Sequence, residues 1–393
     1  MTFEQLLDAV RTSSVIRLSV DLDNLAGDGL VCPPTYAPAS KGEPPYMAFR
    51  KAWINGHTRD VVVLDSPQSQ SNRIETALLA ARRAGRIQYP DIEVCFPSLP
   101  KEPVYSVLQL SHRIYDAVMR AVRMADGTPF FKSDIGQALV KCRLEDATAL
   151  FKHAPVTLVL GAWDSNGGGG PMAAKIPRLL TSEIIGLDAQ RADLSATKFD
   201  PMDVRSQVAE LLPTEDAVER FKIKTAGKEK SKKPSEFGFG SVPATAVPRA
   251  AVINGALQTS VLSCTGLRQI AFGMGHDEAS QSRNNAGRAV LAALSLYGLL
   301  AQNEAGYRLR SRCELMPRDG GRLELIGRTL QEVTPLALTA DAARELLLQA
   351  LEHARSHDLE FRPEVLQLQA DDRLTELVKR SRDAVASGKI DDE

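Results

Sequence analysis

Cysteine is sparse in this chain: Cys32, Cys95, Cys142, Cys264 and Cys313 stand far apart, with no Cys-x-x-Cys pair. That excludes a disulfide framework and a thiolate zinc site, and it suits a reducing compartment. Long apolar runs are missing too, none approaching the ~20 residues needed to cross a bilayer. The start Met1-Thr2-Phe3-Glu4-Gln5 lacks the basic-then-apolar pattern of a secretory signal. The expectation is a soluble, cytoplasmic protein with no membrane partner. Charge of one sign is absent: 48 Lys and Arg oppose 49 Asp and Glu, for a formal net charge of -1. This counts mildly against autonomous, high-affinity binding to free duplex DNA, and any nucleic-acid site must be built from local basic clusters. Aromatics make up only 5% of residues, so base stacking cannot be the dominant binding term.

Catalytic signatures are equally scarce. The six histidines, His57, His112, His153, His276, His353 and His357, form no HExxH or HxH array. Ser66 is not in a GxSxG context, no Gly-Lys-Ser/Thr stands at Walker spacing, and no GxGxxG opens a helix. Asp21 with Asp23, and Asp164, are the acids that could hold magnesium, but scattered acids are usually solvated surface or helix caps.

What is present is the composition of a folded protein: 393 residues, 44% apolar and 25% charged, enough for one large or two to three ordinary domains. Residues 3–12 read as a short helix. Ile16, Leu18, Val20 and Leu22 alternate with Arg17, Ser19 and Asp21, a half-buried strand. Residues 24–58, rich in proline and glycine, read as a long irregular insertion. A buried strand at 61–64 and a helix at 67–86 follow. Further helices are expected at 108–124, 145–153, 283–302, 340–355 and 372–386, and strands at 156–160, 250–262 and 307–315.

The junction after strand 61–64 is the most informative. In Asp65-Ser66-Pro67-Gln68-Ser69-Gln70-Ser71-Asn72-Arg73-Ile74-Glu75, Ser66 suits an N-cap and Pro67 the first helical position. Ile74, Ala77, Leu78 and Ala81 supply one apolar face. The first turn is thus packed with amides, hydroxyls, an arginine and free backbone N–H groups, which favour anions. A phosphate contact and an ordinary polar helix start both fit.

Three further features could carry chemistry. Gly161-Ala162-Trp163-Asp164-Ser165-Asn166 runs into four glycines, with Lys175 and Arg178 beyond; glycine lets backbone N–H groups approach an anion. Trp163 is the best candidate base platform, or else a loop anchor. Lys222, Lys224, Lys228, Lys230, Lys232 and Lys233 form a basic stretch within 222–240, either a solvated linker or a flap that orders over nucleic acid. Arg308, Arg310 and Arg312 would project from one strand face at about 6.5–7 Å, near the phosphate spacing of an extended single strand, or would be a solvated face.

Together, Leu64-Asp65-Ser66-x-Gln68-Ser69-Gln70-x-Asn72-Arg73-x-Glu75, His112-Arg113-x-Tyr115-Asp116-Ala117, and Gly161-x-Trp163-Asp164-Ser165 with Lys175-x-x-Arg178 and Ser182-Glu183-Ile184 resemble one family. It is the Cas-seven (Csb-one) backbone subunit of the type I-U/I-G CRISPR Cascade complex. The resemblance covers roughly 60–190 and continues more weakly through Gly266-Leu267-Arg268. It implies an α+β fold, a ferredoxin-like (RRM-like) palm over residues 1–393, with helical finger insertions and a thumb loop. Residues 24–58 become a finger candidate and 222–240 a thumb or linker candidate.

The family also implies copies stacked along the crRNA spacer, presenting it to target DNA beside other Cascade subunits, with no catalysis and no cofactor. Sequence-independent guide holding needs phosphate and sugar contacts. Arg73, Lys175 and Arg178 are then the phosphate neutralisers, and Gln68, Ser69 and Asn72 the hydrogen-bonding groups for phosphates or 2′-hydroxyls. The competing reading is a metal-dependent RNase acting on bound target RNA through Asp21, Asp23 or Asp164. A third is a phosphotransferase using the 161–170 loop.

Overall fold

The structure is a computed structural model describing all residues except 39, 41, 164–174, 206–207, 215–218 and 387–393. The chain divides into two compact units, Met1–Gln190 with Val252–Asp371, and Arg191–Ala251 with Asp372–Glu393.

The larger unit is built on a nine-stranded sheet: β1 Val15–Asn24, β2 Phe49–Ile54, β3 His57–Asp65, β4 Leu180–Leu187, β5 Ala256–Ser263, β6 Tyr307–Arg310, β7 Cys313–Pro317, β8 Arg322–Ile326 and β9 Val333–Leu336. Their order is β6-β7-β1-β5-β4-β3-β2, with β8 pairing β1 and β9, and every pair is antiparallel. β1 alternates as its sequence requires, burying Ile16, Leu18, Val20 and Leu22.

Four helices organise the rest of this unit: α1 Phe3–Thr12, α2 Pro67–Arg83, α3 Glu278–Glu304 and α4 Ala340–Arg355. α1 starts with a capping box between Thr2 and Gln5. α2 has Ser66 as N-cap, accepting from Ser69 N, and Pro67 in its first turn, as the sequence predicts. Its buried Ile74 and Leu78 meet Gly298 of α3, where an added Cβ would lie only 3.0 Å from either side chain. That glycine sets how closely the two helices pack. The helices expected at 3–12, 283–302, 340–355 and 372–386 are all found, the last as Asp372–Ala386 in the smaller unit.

Four expectations are corrected. Residues 108–124 are not one helix but short 3-10 turns at Val107–Gln109, Arg113–Tyr115 and Ala117–Ala121, followed by the strand Val122–Arg123. Tertiary hydrogen bonds override the apolar periodicity there: Tyr115 Oη donates to the Leu139 carbonyl and Asp116 caps Val118, while Arg113 sits at φ 53°. Residues 156–160 belong to a helix, Pro155–Leu160, with every side chain buried. A short run buried all round carries neither period. The insertion 24–58 is partly regular, because Asn55-Gly56, at φ 49° and 82°, closes the β2–β3 hairpin as an Asn-Gly turn does. Finally, 250–262 and 307–315 are each two strands separated by a turn rather than one.

The smaller unit contains the lysine-rich stretch. Leu211–Pro213 pairs with Phe221–Ile223, and Phe221 packs against Phe237 and Phe239 at 5.6 and 5.2 Å between ring centroids. Lys224 Nζ pairs with Glu210 at 2.8 Å. The basic stretch is therefore pinned by an aromatic cluster within its own unit. Among the described residues no helix is long and apolar enough to cross a membrane.

Candidate nucleic-acid interface

β3 ends in a carboxylate, Asp65, that is fully buried. The start of α2 wraps around it: Ser69 Oγ donates to Oδ1 at 2.8 Å, Gln70 Nε2 to Oδ2 at 2.6 Å and Arg73 Nε to Oδ2 at 2.9 Å. The Arg310 guanidinium, from β6, stands 3.7 Å from Oδ1. A buried carboxylate is tolerated here because charge partners and hydrogen bonds compensate for its lost hydration. Arg73 also donates to the carbonyls of Arg308 and Leu309, at 3.4 and 3.1 Å, which ties α2 to β6.

The polar chain continues inward. Gln70 Oε1 accepts from Ser182 Oγ at 2.8 Å and from Gln258 Nε2 at 3.0 Å, and Tyr307 Oη donates to Gln258 Oε1 at 3.0 Å. All four residues are buried. Their mutual satisfaction specifies one register of α2 over β4 and β5.

One helical face further on, Glu75 is also buried. Arg113 donates from Nε to its Oε1 at 2.5 Å and from another guanidinium nitrogen to the Gly161 carbonyl at 2.7 Å. Arg178, half-buried, donates to the Leu160 carbonyl at 3.2 Å. Burial pushes the Glu75 carboxyl up from its ordinary pKa, and Arg113 and then Arg178 pull it back. Burial pushes Arg178 down, Arg113 adds repulsion and Glu75 opposes both. One carboxylate thus faces two guanidinium groups, leaving an excess of positive charge. Gly161, at φ 79°, has no room for a side chain: a Cβ would lie 2.9 Å from the Ile176 carbonyl oxygen.

Above these networks lies an exposed polar strip of α2, Gln68, Asn72, Thr76 and Arg83. Asn72, Thr76 and Arg83 line a groove of about 530 Å³ with Gln109 and Ser111 opposite. Trp163 and Lys175 are directly opposed in the ladder Ala162–Trp163 with Lys175–Ile176. Both are exposed while Ala162 and Ile176 are buried, so indole and ammonium share the outer face.

The sequence-predicted residues therefore fall in three places. Gln68, Ser69, Asn72 and Arg73 share the α2 start, with Ser69 and Arg73 turned to Asp65 and Gln68 and Asn72 turned outward. Trp163 and Lys175 share one face of their hairpin. Arg178 joins the Glu75–Arg113–Gly161 cluster that links α2 to that hairpin. Sequence reasoning missed Asp65 and Glu75 as organisers, where the available signal was acids within motifs otherwise rich in donors, and it did not connect Arg113 and Arg310 to them.

The arginine ladder expected at 308–312 does not form. Arg308 is exposed, Arg310 turns to Asp65, and Arg312, in the β6–β7 turn at φ 54°, pairs with Asp28 at 3.1 Å. The glycine tract and Asp164 lie outside the described residues, and Gly161 follows a helix rather than a strand. Asp21 pairs with Arg322 at 3.4 Å and Asp23 with Arg318 at 2.5 Å. The Arg318 hydrogen bond holds Asp23 below the usual carboxylate range. Among the described residues no three His, Cys, Asp or Glu side chains are grouped to hold a metal ion.

Residues 16–191 match the family described as CRISPR-associated protein GSU0053. The matched span is the part of the chain that carries the three motifs, on which the resemblance to a CRISPR-associated family rests. No curated protein matches the sequence. Among solved structures, the crystal structure of Thermofilum pendens Csc2 aligns over 98% of this chain and 84% of that chain, at 12% identity and a TM-score of 0.26.

Proposed function

We propose that this chain is a non-enzymatic backbone subunit of a CRISPR effector (Cascade) complex. It holds crRNA through phosphate and 2′-hydroxyl contacts, and further copies stack head to tail along the spacer to present it for pairing with target DNA. The observation that carries the proposal is the convergence of the motifs. Glu75, Arg113 and Gly161, one from each motif, form a single buried cluster beneath an outward polar strip and an exposed Trp163–Lys175 pair. Arg73 keeps 29% of its side chain accessible while its Nε is held by Asp65. A guanidinium positioned in this way can meet a phosphate without losing side-chain freedom on binding.

The sheet order also supports the ferredoxin-like palm. With β1, β4, β5 and β7 taken as its four strands, the order is fourth-first-third-second, and α2 and α3 supply the two crossovers. The 222–240 stretch is then the thumb candidate and 24–58 the finger candidate. Repetition along RNA implies a heterologous interface that does not close into a ring.

The test is competition binding with unrelated single-stranded RNAs of equal length. Affinity should be independent of sequence and fall steeply with salt, by about 0.7 logarithmic units per phosphate contacted. Dependence on one base sequence would overturn the reading. Cleavage of complementary RNA that a chelator abolishes would replace it with the nuclease reading.

A further inference from the structure

The 24–58 segment contains an aromatic pair that neither the motifs nor the polar strip accounts for. Thr35–Tyr36 and Tyr46–Met47 form a short antiparallel ladder in which Tyr36 stands opposite Tyr46 and Thr35 opposite Met47. Met47 is buried and anchors the ladder to the core, so the two tyrosines share its other face. Their ring centroids are 5.9 Å apart with planes inclined at 37°. Of the seven tyrosines in the chain, Tyr46 is the only exposed one, at 50%. Pro33-Pro34 and Pro44-Pro45 precede the two strands and restrict the backbone, so the pair is held in place before any ligand arrives.

The position of the pair gives it significance. Arg310, which faces Asp65, also donates to the carbonyl of Cys32, four residues before Tyr36, at 3.5 Å, and Val63 N donates to the carbonyl of Ala48, two residues after Tyr46, at 3.0 Å; burial pushes the Tyr36 hydroxyl up from its ordinary pKa. The ladder that carries the aromatic pair is therefore tied to Arg310 and to the end of β3 that leads into α2, and its outer ring is open. An aromatic face next to fixed cations is the arrangement that single-strand binders use, cations tracking the backbone and rings taking a base. A purely structural staple would not need the outer ring exposed.

We propose that Tyr36 and Tyr46 form a stacking platform for one nucleobase of single-stranded RNA, whose adjacent phosphate lies at the start of α2. This rests on the RNA-binding reading above and adds a base subsite to it. Stacking is tolerant of base identity, so the platform is compatible with guides of any sequence.

The experiment uses the full chain and a fluorescently labelled oligoadenylate, titrated at several salt concentrations. Tyr46→Leu should weaken binding by about 5- to 150-fold, the equivalent of 1–3 kcal/mol per stacked base. Its salt slope should match wild type, because no charge is removed. Tyr46→Phe keeps the ring and should bind like wild type. Independently of any variant's folding, the wild-type protein should bind an abasic oligonucleotide of the same length more weakly, with the same slope. Unchanged affinity of Tyr46→Leu, or equal affinity of wild type for abasic and normal RNA, overturns the platform and leaves the tyrosines as a staple. Absence of salt-dependent binding by the wild type would instead overturn the RNA-binding reading beneath it.

Discussion

Replacing Arg113 by alanine tests whether the motifs are held together by charge. In the folded protein this guanidinium, itself buried, faces Glu75 at 2.5 Å and the Gly161 carbonyl at 2.7 Å. Deleting one partner of a buried pair costs about 3–5 kcal/mol, because the other charge is left uncompensated. The orphaned carbonyl adds about 1–3 kcal/mol, and Arg178, which also lowers the Glu75 pKa, offsets part of the loss. The expected net destabilisation is about 3–5 kcal/mol, read from urea unfolding as a lower midpoint at unchanged slope.

The pH dependence has a definite sign. Burial already raises the Glu75 pKa above its ordinary value of 4.5 in the folded protein, and loss of Arg113 raises it further. The folded variant therefore takes up a proton before the unfolded chain does. Its deficit should shrink on mild acidification and grow as pH rises through the raised pKa. The double variant Glu75→Leu with Arg113→Met removes both charges and should recover most of the loss. A single-variant loss below about 1 kcal/mol, the value of an exposed pair, would refute the argument. So would a double variant no better than the single.

Three further outcomes follow from the geometry. Gln68→Ala with Asn72→Ala, both outward on α2, should weaken RNA binding while leaving the unfolding free energy within about 0.5 kcal/mol of wild type. Arg73→Ala should lower both, since Arg73 also neutralises buried Asp65; equal RNA affinity in the outward pair would remove the strip from the site. His153 is held neutral by burial, with Arg362 and Lys152 adding repulsion, and its pKa falls from 6.5 to about 4. Stability from this group is complete above 6.5 and is lost as pH falls toward 4. His153→Phe should flatten that part of the stability profile, and an unchanged profile would contradict the assignment. Gly161→Ala should lower the melting temperature through a loss of about 1–3 kcal/mol, from positive φ and the clash with the Ile176 carbonyl; a neutral substitution would show that the turn relaxes freely.

Much of the sheet and its helices was legible because burial on one face leaves a period. β1 shows strict alternation, and α2 shows a cap, a proline and an apolar stripe. Legibility failed where burial is complete or where side chains replace backbone ladders. Pro155–Leu160 has no polar face to mark its helical period. Segment 108–124 looks helical only until Arg113 and Tyr115 are seen to spend their hydrogen bonds on Glu75, Gly161 and Leu139. Within the candidate site, residue types pointed to Gln68, Asn72 and Arg73, but their division into inward and outward sets was invisible. Nothing local says that Asp65 is buried, because its second cation comes from β6, far along the chain.

That distance affects how the protein is made. Arg73 reaches its last hydrogen-bond partner at Leu309, 236 residues downstream, and Gln70 reaches Gln258, 188 residues on. During synthesis, the segment bearing α2 emerges long before the strands that hold Arg73 and Gln70 in place. A chain ending before β5 therefore has the outward amides and Asp65 but not the Gln258, Leu309 and Arg310 contacts that complete the clamp. Long-range closures of this kind form late, since loop entropy must be overcome first. The surface is completed only with the fold.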